Sequence, residues 1–102
     1  MNFEWDPAKA AANLRKHGVT FHFARRAFGG RMLERRDGRR DYREERWAGL
    51  VQIDGRVYAI VWTARGDNTV RLISARKANE RETRKYKSET EPPQAANGAI
   101  HS

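Results

Sequence analysis

The chain contains no cysteine, so it can form neither a disulfide bond nor a metal site with thiolate ligands. Its three histidines, His17, His22 and His101, lack the spacing of a zinc site, and we expect neither a metal nor a cofactor. No apolar run approaches the roughly 20 residues that a membrane-spanning helix needs. Residues Met1–Asp6 lack the basic start and apolar stretch of a signal peptide. These absences predict a cytoplasmic protein without a membrane partner.

Positive charge is what the sequence has in excess. The chain of 102 residues carries 21 basic and 13 acidic side chains, which leaves a net charge of +8. Positive potential attracts polyanions, and phosphate contacts supply much of the affinity of proteins for nucleic acids. Most of the basic residues are arginine, whose planar guanidinium binds phosphate through two parallel hydrogen bonds. Composition favours a nucleic-acid partner, and the alternative is that the charge only keeps the protein soluble.

Capping residues predict two helices in the N-terminal part of the chain. The first begins at Pro7 after the N-cap Asp6 and runs to about Lys16, where a glycine follows. The second is short, follows the N-cap Thr20 and ends at Gly29-Gly30. The apolar residues of this second helix recur at helical spacing, so we expect them to face the core.

Apolar runs and turn residues predict three consecutive strands in an antiparallel meander, with Asp54-Gly55 as a hairpin turn. These strands span residues 47–53, 57–63 and 70–76. The second is nearly all apolar, so we expect it to be central and buried on both faces. Phe3-Glu4-Trp5 predicts a short edge strand. In the strongly charged segment 31–46, Met32 and Leu33 could open a strand and Asp37-Gly38 indicates a turn, so we expect an exposed hairpin or a mobile loop.

A third helix follows the meander, opened by the capping pair Asn79 and Glu82 and ending near Lys87. Residues 88–102 are small or polar and predict a disordered tail. We therefore expect one domain over residues 1–87. The predicted fold class is α+β, with two N-terminal helices, an antiparallel β-meander sheet and one C-terminal helix.

Several short motifs, taken in order, form a set that spans residues 3–87. They are Phe3-Glu4-Trp5-Asp6 with Lys9 and Asn13, Lys16–Phe21, Glu45-Arg46-Trp47, Thr63-Ala64-Arg65, Arg71–Ala78, Glu82 and Tyr86. In sequence and spacing this set resembles the BrnT-like toxin family. The resemblance implies a RelE-like fold and ribonuclease activity on mRNA, which inhibits translation and growth. It also implies neutralisation by a BrnA-like ribbon-helix-helix antitoxin, in a 2:2 complex that binds operator DNA through the antitoxin.

Five residues are candidates for catalysis of RNA cleavage. Arg76 and Arg65 lie at strand ends, where they could bind a phosphate and stabilise charge on a pentacoordinate phosphorus. The alternative is that these strand ends are solvated or form salt bridges to Glu44, Glu45 or Glu82. His17 could transfer a proton, although a cationic residue in the last turn of a helix is the simpler interpretation. Tyr86 could stack on a base, and core packing explains it equally well. Glu45 is better suited to orient an arginine than to act as a base.

Five further basic residues are candidates for RNA binding, and they lie on the predicted helices or beside the first long strand. They are Lys9, Lys16, Arg46, Arg84 and Lys85. Residues along a strand alternate between its faces. We therefore expect Arg71 and Arg76 to point to opposite sides of the sheet, unless a bulge intervenes.

Two other hypotheses compete with an RNA-cleaving enzyme. One is a binding module that occupies nucleic acid without catalysis, and the other is a protein-interaction domain whose charge serves an acidic partner. A neighbouring reading frame for a ribbon-helix-helix protein would support the enzyme. Its absence, with no growth defect on expression, would favour the other two.

Overall fold

The computed structural model describes residues 1–37 and 45–90 of the chain, which fold as one five-stranded sheet with helices on both faces. The elements are β1 (Asn2–Glu4), α1 (Pro7–His17), α2 (Phe21–Ala24), a 3₁₀ helix (Arg25–Gly29), β2 (Met32–Arg36), β3 (Trp47–Ile53), β4 (Arg56–Arg65), β5 (Thr69–Lys77) and α3 (Glu80–Thr90).

The sheet is mixed, in the order β1-β5-β4-β3-β2. Strands β2 to β5 form an antiparallel meander, and β1 pairs with β5 in parallel at one edge. The α+β class is confirmed, whereas the prediction of a purely antiparallel sheet is wrong. Two parallel neighbouring strands need a long crossover connection between them. Between β1 and β5 this connection consists of the N-terminal helices and the strands β2, β3 and β4.

The edge strand β2 begins at Met32, as the sequence suggested, and pairs antiparallel with β3. Met32 lies opposite Val51 and packs against the main core, so this charged segment has an apolar anchor that holds it against β3. The last three residues of β2 are charged and exposed, in agreement with an exposed hairpin and not with a mobile loop at this position. Residues 38–44 of the predicted loop lie outside the described residues.

The predicted capping signals are confirmed at Gly18 and Thr20, whereas Asp6 stands before Pro7 without a side-chain capping hydrogen bond. The second predicted helix is α-helical to Ala24 and continues as the 3₁₀ helix to Gly29. Gly18 has φ +71°, and its N–H donates to the carbonyl of Leu14 at 2.8 Å, a left-handed stop that glycine favours. The Thr20 hydroxyl oxygen accepts the N–H of Phe23 at 3.0 Å. The first helix ends at His17, one residue beyond its predicted end.

Helix α3 opens with the predicted capping box. The N–H of Glu82 donates to Asn79 Oδ1 at 2.8 Å, and the N–H of Asn79 donates to Glu82 Oε1 at 2.9 Å. The helix runs to Thr90, three residues beyond its predicted end. The predicted tail 88–102 therefore begins inside the helix, and residues 91–102 lie outside the described part of the chain.

The structure confirms the predicted turn of the β3–β4 hairpin and the predicted bounds of β3. Asp54 and Gly55 have φ values of 50° and 82°, the pair of positive angles that a two-residue turn requires. The neighbouring strands extend slightly beyond their predicted ends, to Arg65 in β4 and Lys77 in β5.

Asn13 of α1 completes the hydrogen bonding of β5 where β1 has ended. On that edge β1 pairs only with residues 69–71 of β5. Further along, Asn13 Nδ2 donates to the carbonyl of Ala75 at 2.8 Å, and the N–H of Ala75 donates to Asn13 Oδ1 at 3.1 Å. Asn13 Nδ2 also donates to the carbonyl of Val19 at 2.9 Å. A buried side-chain amide therefore satisfies backbone groups that a neighbouring strand would otherwise bond.

The two faces of the sheet differ in how far they are covered. The first face holds the main core, where residues such as Ile60 and Leu72 pack beneath α1 and α2. On the second face α3 covers a smaller cluster that includes Val57. Beyond α3, Ala59 and Val61 are only half-buried. The predicted central position of β4 is confirmed. Its burial on both faces is confirmed only in part, because Val57 and Thr63 are buried on the second face while Ala59 and Val61 between them are not fully covered. We call this second face the open face.

A bulge in β5 changes which side chains reach the open face. Val61 pairs with Ser74 and Trp62 pairs with Leu72, so Ile73 is an extra residue on β5. The extra residue shifts the alternation between the faces. Arg71, opposite Thr63, and Arg76, opposite Ala59, therefore lie on the same face. The prediction that these two arginines point to opposite sides is wrong.

Candidate active site

A concave pocket of about 400 Å³ lies on the open face beside α3. Small and apolar residues of the central strands form its floor, and charged side chains from β2, β5 and α3 form its rim. The floor includes Ala48, Ala59, Val61 and Ser74, and the rim includes Arg35, Arg76, Glu82, Lys85 and Glu89. A backbone phosphate could approach such a floor closely, because the small side chains leave room above the sheet.

Arg76 and Glu82 form the best-defined charged pair of the pocket. Arg76 Nη1 and Nη2 each donate to one carboxylate oxygen of Glu82, both at 2.8 Å. The hydrogen bond from Arg76 holds the pKa of Glu82 below its ordinary value, so Glu82 remains an anion at neutral pH. Since Glu82 is also the capping residue of α3, the same carboxylate fixes the helix and orients the guanidinium.

Two more basic side chains complete the rim. Lys85 stands one turn along α3, 3.3 Å from Glu89, and Arg35 reaches the pocket from β2. Arg35 also lies near enough to Glu82 to help lower its pKa. The rim of the pocket therefore brings three basic side chains, Arg35, Arg76 and Lys85, close to the carboxylates of Glu82 and Glu89.

A second cluster of arginines lies on the same face at the far end of β5. Arg71 Nη1 donates to Glu4 Oε2 at 2.8 Å, and Arg65 Nε lies 3.6 Å from the same oxygen. Glu4 and Arg71 are register partners in the parallel pairing of β1 with β5. One carboxylate is therefore shared between two guanidinium groups, which leaves this cluster with an excess of one positive charge. We call these three residues the Glu4 cluster.

The predicted catalytic residues separate into different places. Arg76 lines the pocket, and Arg65 belongs to the Glu4 cluster. Tyr86 is buried in the cluster under α3, where its hydroxyl donates to the carbonyl of Arg31 at 2.6 Å. The ring of Tyr86 is packed in this cluster and its hydroxyl is hydrogen-bonded to the backbone, which favours the core-packing interpretation of Tyr86.

Glu45 and Arg46 directly precede β3 in the chain. The carboxylate of Glu45 accepts from Arg36 Nη2 at 2.7 Å, in agreement with the interpretation of Glu45 as an arginine partner. The Glu45 carbonyl accepts the Thr63 hydroxyl at 2.6 Å, which ties this segment to β4. Arg46 is half-buried, and its carbonyl accepts the N–H of Asp37. Neither side chain lines the pocket.

The remaining candidates lie apart from the pocket. Lys9, Lys16 and His17 belong to α1, which packs against β5 on the side of the main core. Arg84 is exposed on α3 and stands 3.8 Å from Glu80, one turn earlier on that helix. Of the basic residues predicted to bind RNA, Lys85 alone lines the pocket.

Among the described residues, no group of three or more His, Asp or Glu side chains is placed to hold a metal ion. No helix within the described ranges is long and apolar enough to cross a membrane.

Sequence reasoning missed two contributors to the pocket, Arg35 and Ser74, and it named Glu82 only as one of three carboxylates that could form a salt bridge with the strand-end arginines. The alternation of Leu33 and Arg35 was the available signal for the position of Arg35, but the surrounding charge concealed it. Ser74 enters the floor through the bulge, for which the local sequence offers no signal. Glu82 was identified as a capping residue, and its second bond to Arg76 depends on how α3 packs.

A family model described as the ribonuclease toxin BrnT of type II toxin–antitoxin systems matches residues 5–82. The chain belongs to this family. A crystal structure of the ribonuclease toxin BrnT from Brucella abortus superimposes with a TM-score of 0.59 at 20% sequence identity. The match covers 78% of this chain and 99% of the Brucella chain, which supports the shared fold. No curated protein matches the chain.

Membership of the BrnT family confirms the resemblance seen in the sequence. The chain is a family member of the toxins of type II toxin–antitoxin systems, and the family is described as ribonuclease toxins. A type II system pairs its toxin with a protein antitoxin, so this membership implies an antitoxin partner. The matched range includes β2, Arg76 and Glu82, whereas Lys85 and Glu89 of the rim lie beyond it.

Proposed function

We propose that this BrnT family member is a metal-independent endoribonuclease that cleaves RNA in the pocket beside α3. The carrying observation is the oriented guanidinium of Arg76, held by Glu82 above a floor of small side chains. Lys85 and Arg35 bring two more cationic groups to the same rim. Fixed donors of this kind stabilise charge that develops in a transition state without reorganising during the reaction.

The proposed reaction uses the substrate's own nucleophile. The ribose 2′-hydroxyl gives its proton to solvent water and attacks the adjacent phosphorus, and the bond to the 5′ oxygen of the next nucleotide breaks. The products are a 2′,3′-cyclic phosphate and a 5′-hydroxyl, whose oxygen takes up a proton from solvent water. Arg76 and Lys85 would bind the non-bridging oxygens, whose negative charge increases as phosphorus becomes pentacoordinate. The positive charge that this step needs comes from side chains, which is why we propose no metal.

The biological context follows from the family. We propose that RNA cleavage inhibits translation and growth in the cytoplasm, and that a BrnA-like ribbon-helix-helix antitoxin neutralises it. The proposed complex has two copies of each protein and binds operator DNA through the antitoxin. An antitoxin that covers the open face would block the pocket, because α3 leaves that face accessible.

Cleavage of a synthetic RNA by the purified protein in EDTA tests this function. We expect products with 2′,3′-cyclic phosphate ends, identified by mass spectrometry. Arg76→Ala should lower the rate by about 100-fold or more, the typical cost of losing a group that stabilises transition-state charge. Arg56→Ala is the matched control, because Arg56 is exposed on the opposite side of β4 from the open face.

Two results would contradict the proposal. One is cleavage that stops in EDTA and returns with magnesium, which would assign the chemistry to a metal. The other is an Arg76→Ala variant that remains folded and cleaves as fast as the Arg56→Ala control.

A further inference from the structure

The Glu4 cluster lies on the same surface as the pocket, at the opposite end of β5 from α3. The bulge at Ile73 is responsible, because it turns Arg71 onto the open face that Arg76 also occupies. On β4 the partners of these arginines are Thr63 and Ala59, four positions apart. At a rise of about 3.3 Å per residue, the two sites are about 13 Å apart along the sheet. An extended RNA strand covers this distance in a few nucleotides.

The chemistry of the Glu4 cluster suits a phosphate diester. A carboxylate and a phosphate present similar pairs of oxygens to a guanidinium. Arg65 and Arg71 converge on a single carboxylate oxygen, and both remain accessible, with 53% and 35% of their side-chain surface exposed. Because one carboxylate cannot neutralise two guanidinium groups, a phosphate could join or replace Glu4 there.

We propose that Arg65 and Arg71 form a second phosphate subsite, which holds an RNA phosphate a few nucleotides from the scissile one. Glu4 occupies the guanidinium groups in the free protein and gives way when RNA binds. The subsite rests on the proposed ribonuclease function, because it extends the same substrate along the same face. Its role is to bind and position the strand, so it raises the efficiency of longer substrates.

Binding of RNA without cleavage tests the subsite directly. The probe is a fluorescent 2′-O-methyl oligonucleotide, which lacks the nucleophile, titrated by anisotropy at several salt concentrations. Arg71→Ala should weaken binding about tenfold, the cost of a charge-assisted hydrogen bond. It should also reduce the slope of log K against log salt by about 1, as expected for one lost phosphate contact. Arg56→Ala removes the same charge outside the open face and serves as the control.

A gain of affinity provides a second readout that misfolding cannot produce. Glu4→Gln keeps the size of the side chain and releases both arginines from the carboxylate, so RNA should bind several-fold more tightly. Glu80→Gln is its control, since Glu80 is 93% exposed on α3 and loses the same charge. If Glu4→Gln binds no more tightly than Glu80→Gln, the exchange of carboxylate for phosphate is refuted.

Cleavage of short and extended substrates locates the subsite on the strand. A dinucleotide is compared with oligonucleotides extended on the 5′ or the 3′ side. The wild-type kcat/KM should be higher for one of these extended substrates than for the dinucleotide. In Arg71→Ala this ratio of extended to short substrate should be about tenfold smaller. Equal kcat/KM for Arg71→Ala and Arg56→Ala on every substrate overturns the subsite.

The failure of the subsite and the failure of the ribonuclease function give different results. If the wild-type protein cleaves no RNA, the proposed function is wrong, and the anisotropy measurements still decide the subsite. If Arg71→Ala binds RNA as the control does but loses affinity for the antitoxin, the cluster serves a protein partner and the subsite is refuted.

Discussion

Glu82 shows how much one side chain can determine in a protein of this size. Its carboxylate accepts the N–H of Asn79 at the start of α3 and binds both terminal nitrogens of Arg76. The sequence indicated the first role, since Asn79 and Glu82 stand three residues apart before a helix. For the second role the sequence offered Glu82 only as one of three carboxylates that could pair with a strand-end arginine, because the meeting of Arg76 with Glu82 depends on the path between β5 and α3.

The pH dependence of stability separates these two roles. The pKa of Glu82 is lowered in the folded protein by its hydrogen bond from Arg76. A carboxylate with a lowered folded pKa stabilises the fold above its ordinary pKa, and this contribution is lost as the pH falls through the folded value. Glu82→Gln retains a capping amide but loses the charge, so it should melt below the wild type at pH 7.

The difference in Tm between wild type and Glu82→Gln should shrink as the pH falls from about 5 towards 3. Thermal melting by circular dichroism at several pH values measures it, with Glu80→Gln as the control on the same helix. A difference that stays constant over this range would show that Glu82 acts through its shape and not through its charge.

At the scale of elements, prediction succeeded where the signal was local and failed where it depended on a partner strand. The signals for the caps at Gly18 and Thr20 and for the Asp54-Gly55 turn each lie within a few residues, and the structure confirms all three. The β5 bulge has no such signal, because it is defined by what lies opposite on β4. The position of β2 likewise depends on the packing of Met32 against the main core.

Close packing between β2 and β3 gives a test at this scale. A Cβ added to Gly49 would lie 2.8 Å from Met32 Cγ and 3.1 Å from Trp62 Cζ3, which is closer than packed carbon atoms approach. Gly49→Ala should therefore reduce the free energy of unfolding by about 1–3 kcal/mol, the usual cost of overpacking. Chemical denaturation measures this loss.

Gly29→Ala is the matched control, because a Cβ added to Gly29 would meet nothing within 4 Å. We expect this variant to be as stable as the wild type or slightly more stable, since alanine reduces the freedom of the unfolded chain. Equal stabilities for the two variants would mean that β2 moves away from β3 at no cost.

At the scale of the whole molecule, the end of the domain differs from its predicted position. The sequence places the boundary after Lys87, but Arg31 Nη1 donates to the carbonyl of Thr90 at 2.8 Å, and the Thr90 hydroxyl bonds the carbonyl of Tyr86. These contacts fasten the last turn of α3 to the segment before β2. They could not be predicted, because Arg31 and Thr90 are 59 residues apart in the chain.

Two truncations test this boundary. A chain ending at Thr90 should melt as the full-length protein does, since the composition of residues 91–102 provides few bulky apolar side chains. A chain ending at Lys87 loses the contacts of the last turn, and its free energy of unfolding should fall by about 1 kcal/mol, the net value of a typical hydrogen bond. If both chains melt alike, the last turn of α3 contributes nothing and the predicted boundary is correct.

The parallel pairing of β1 with β5 has a consequence for the time at which the protein becomes active during synthesis. Strand β1 finds its partner in β5, the last strand of the described residues, and Glu4 meets Arg71 across a separation of 67 residues. Contacts between such distant residues form late, because the loop between them must be closed first. A nascent chain therefore lacks the Glu4 cluster until the meander is complete, so the surface that joins the pocket to this cluster is assembled only after β5 has been synthesised.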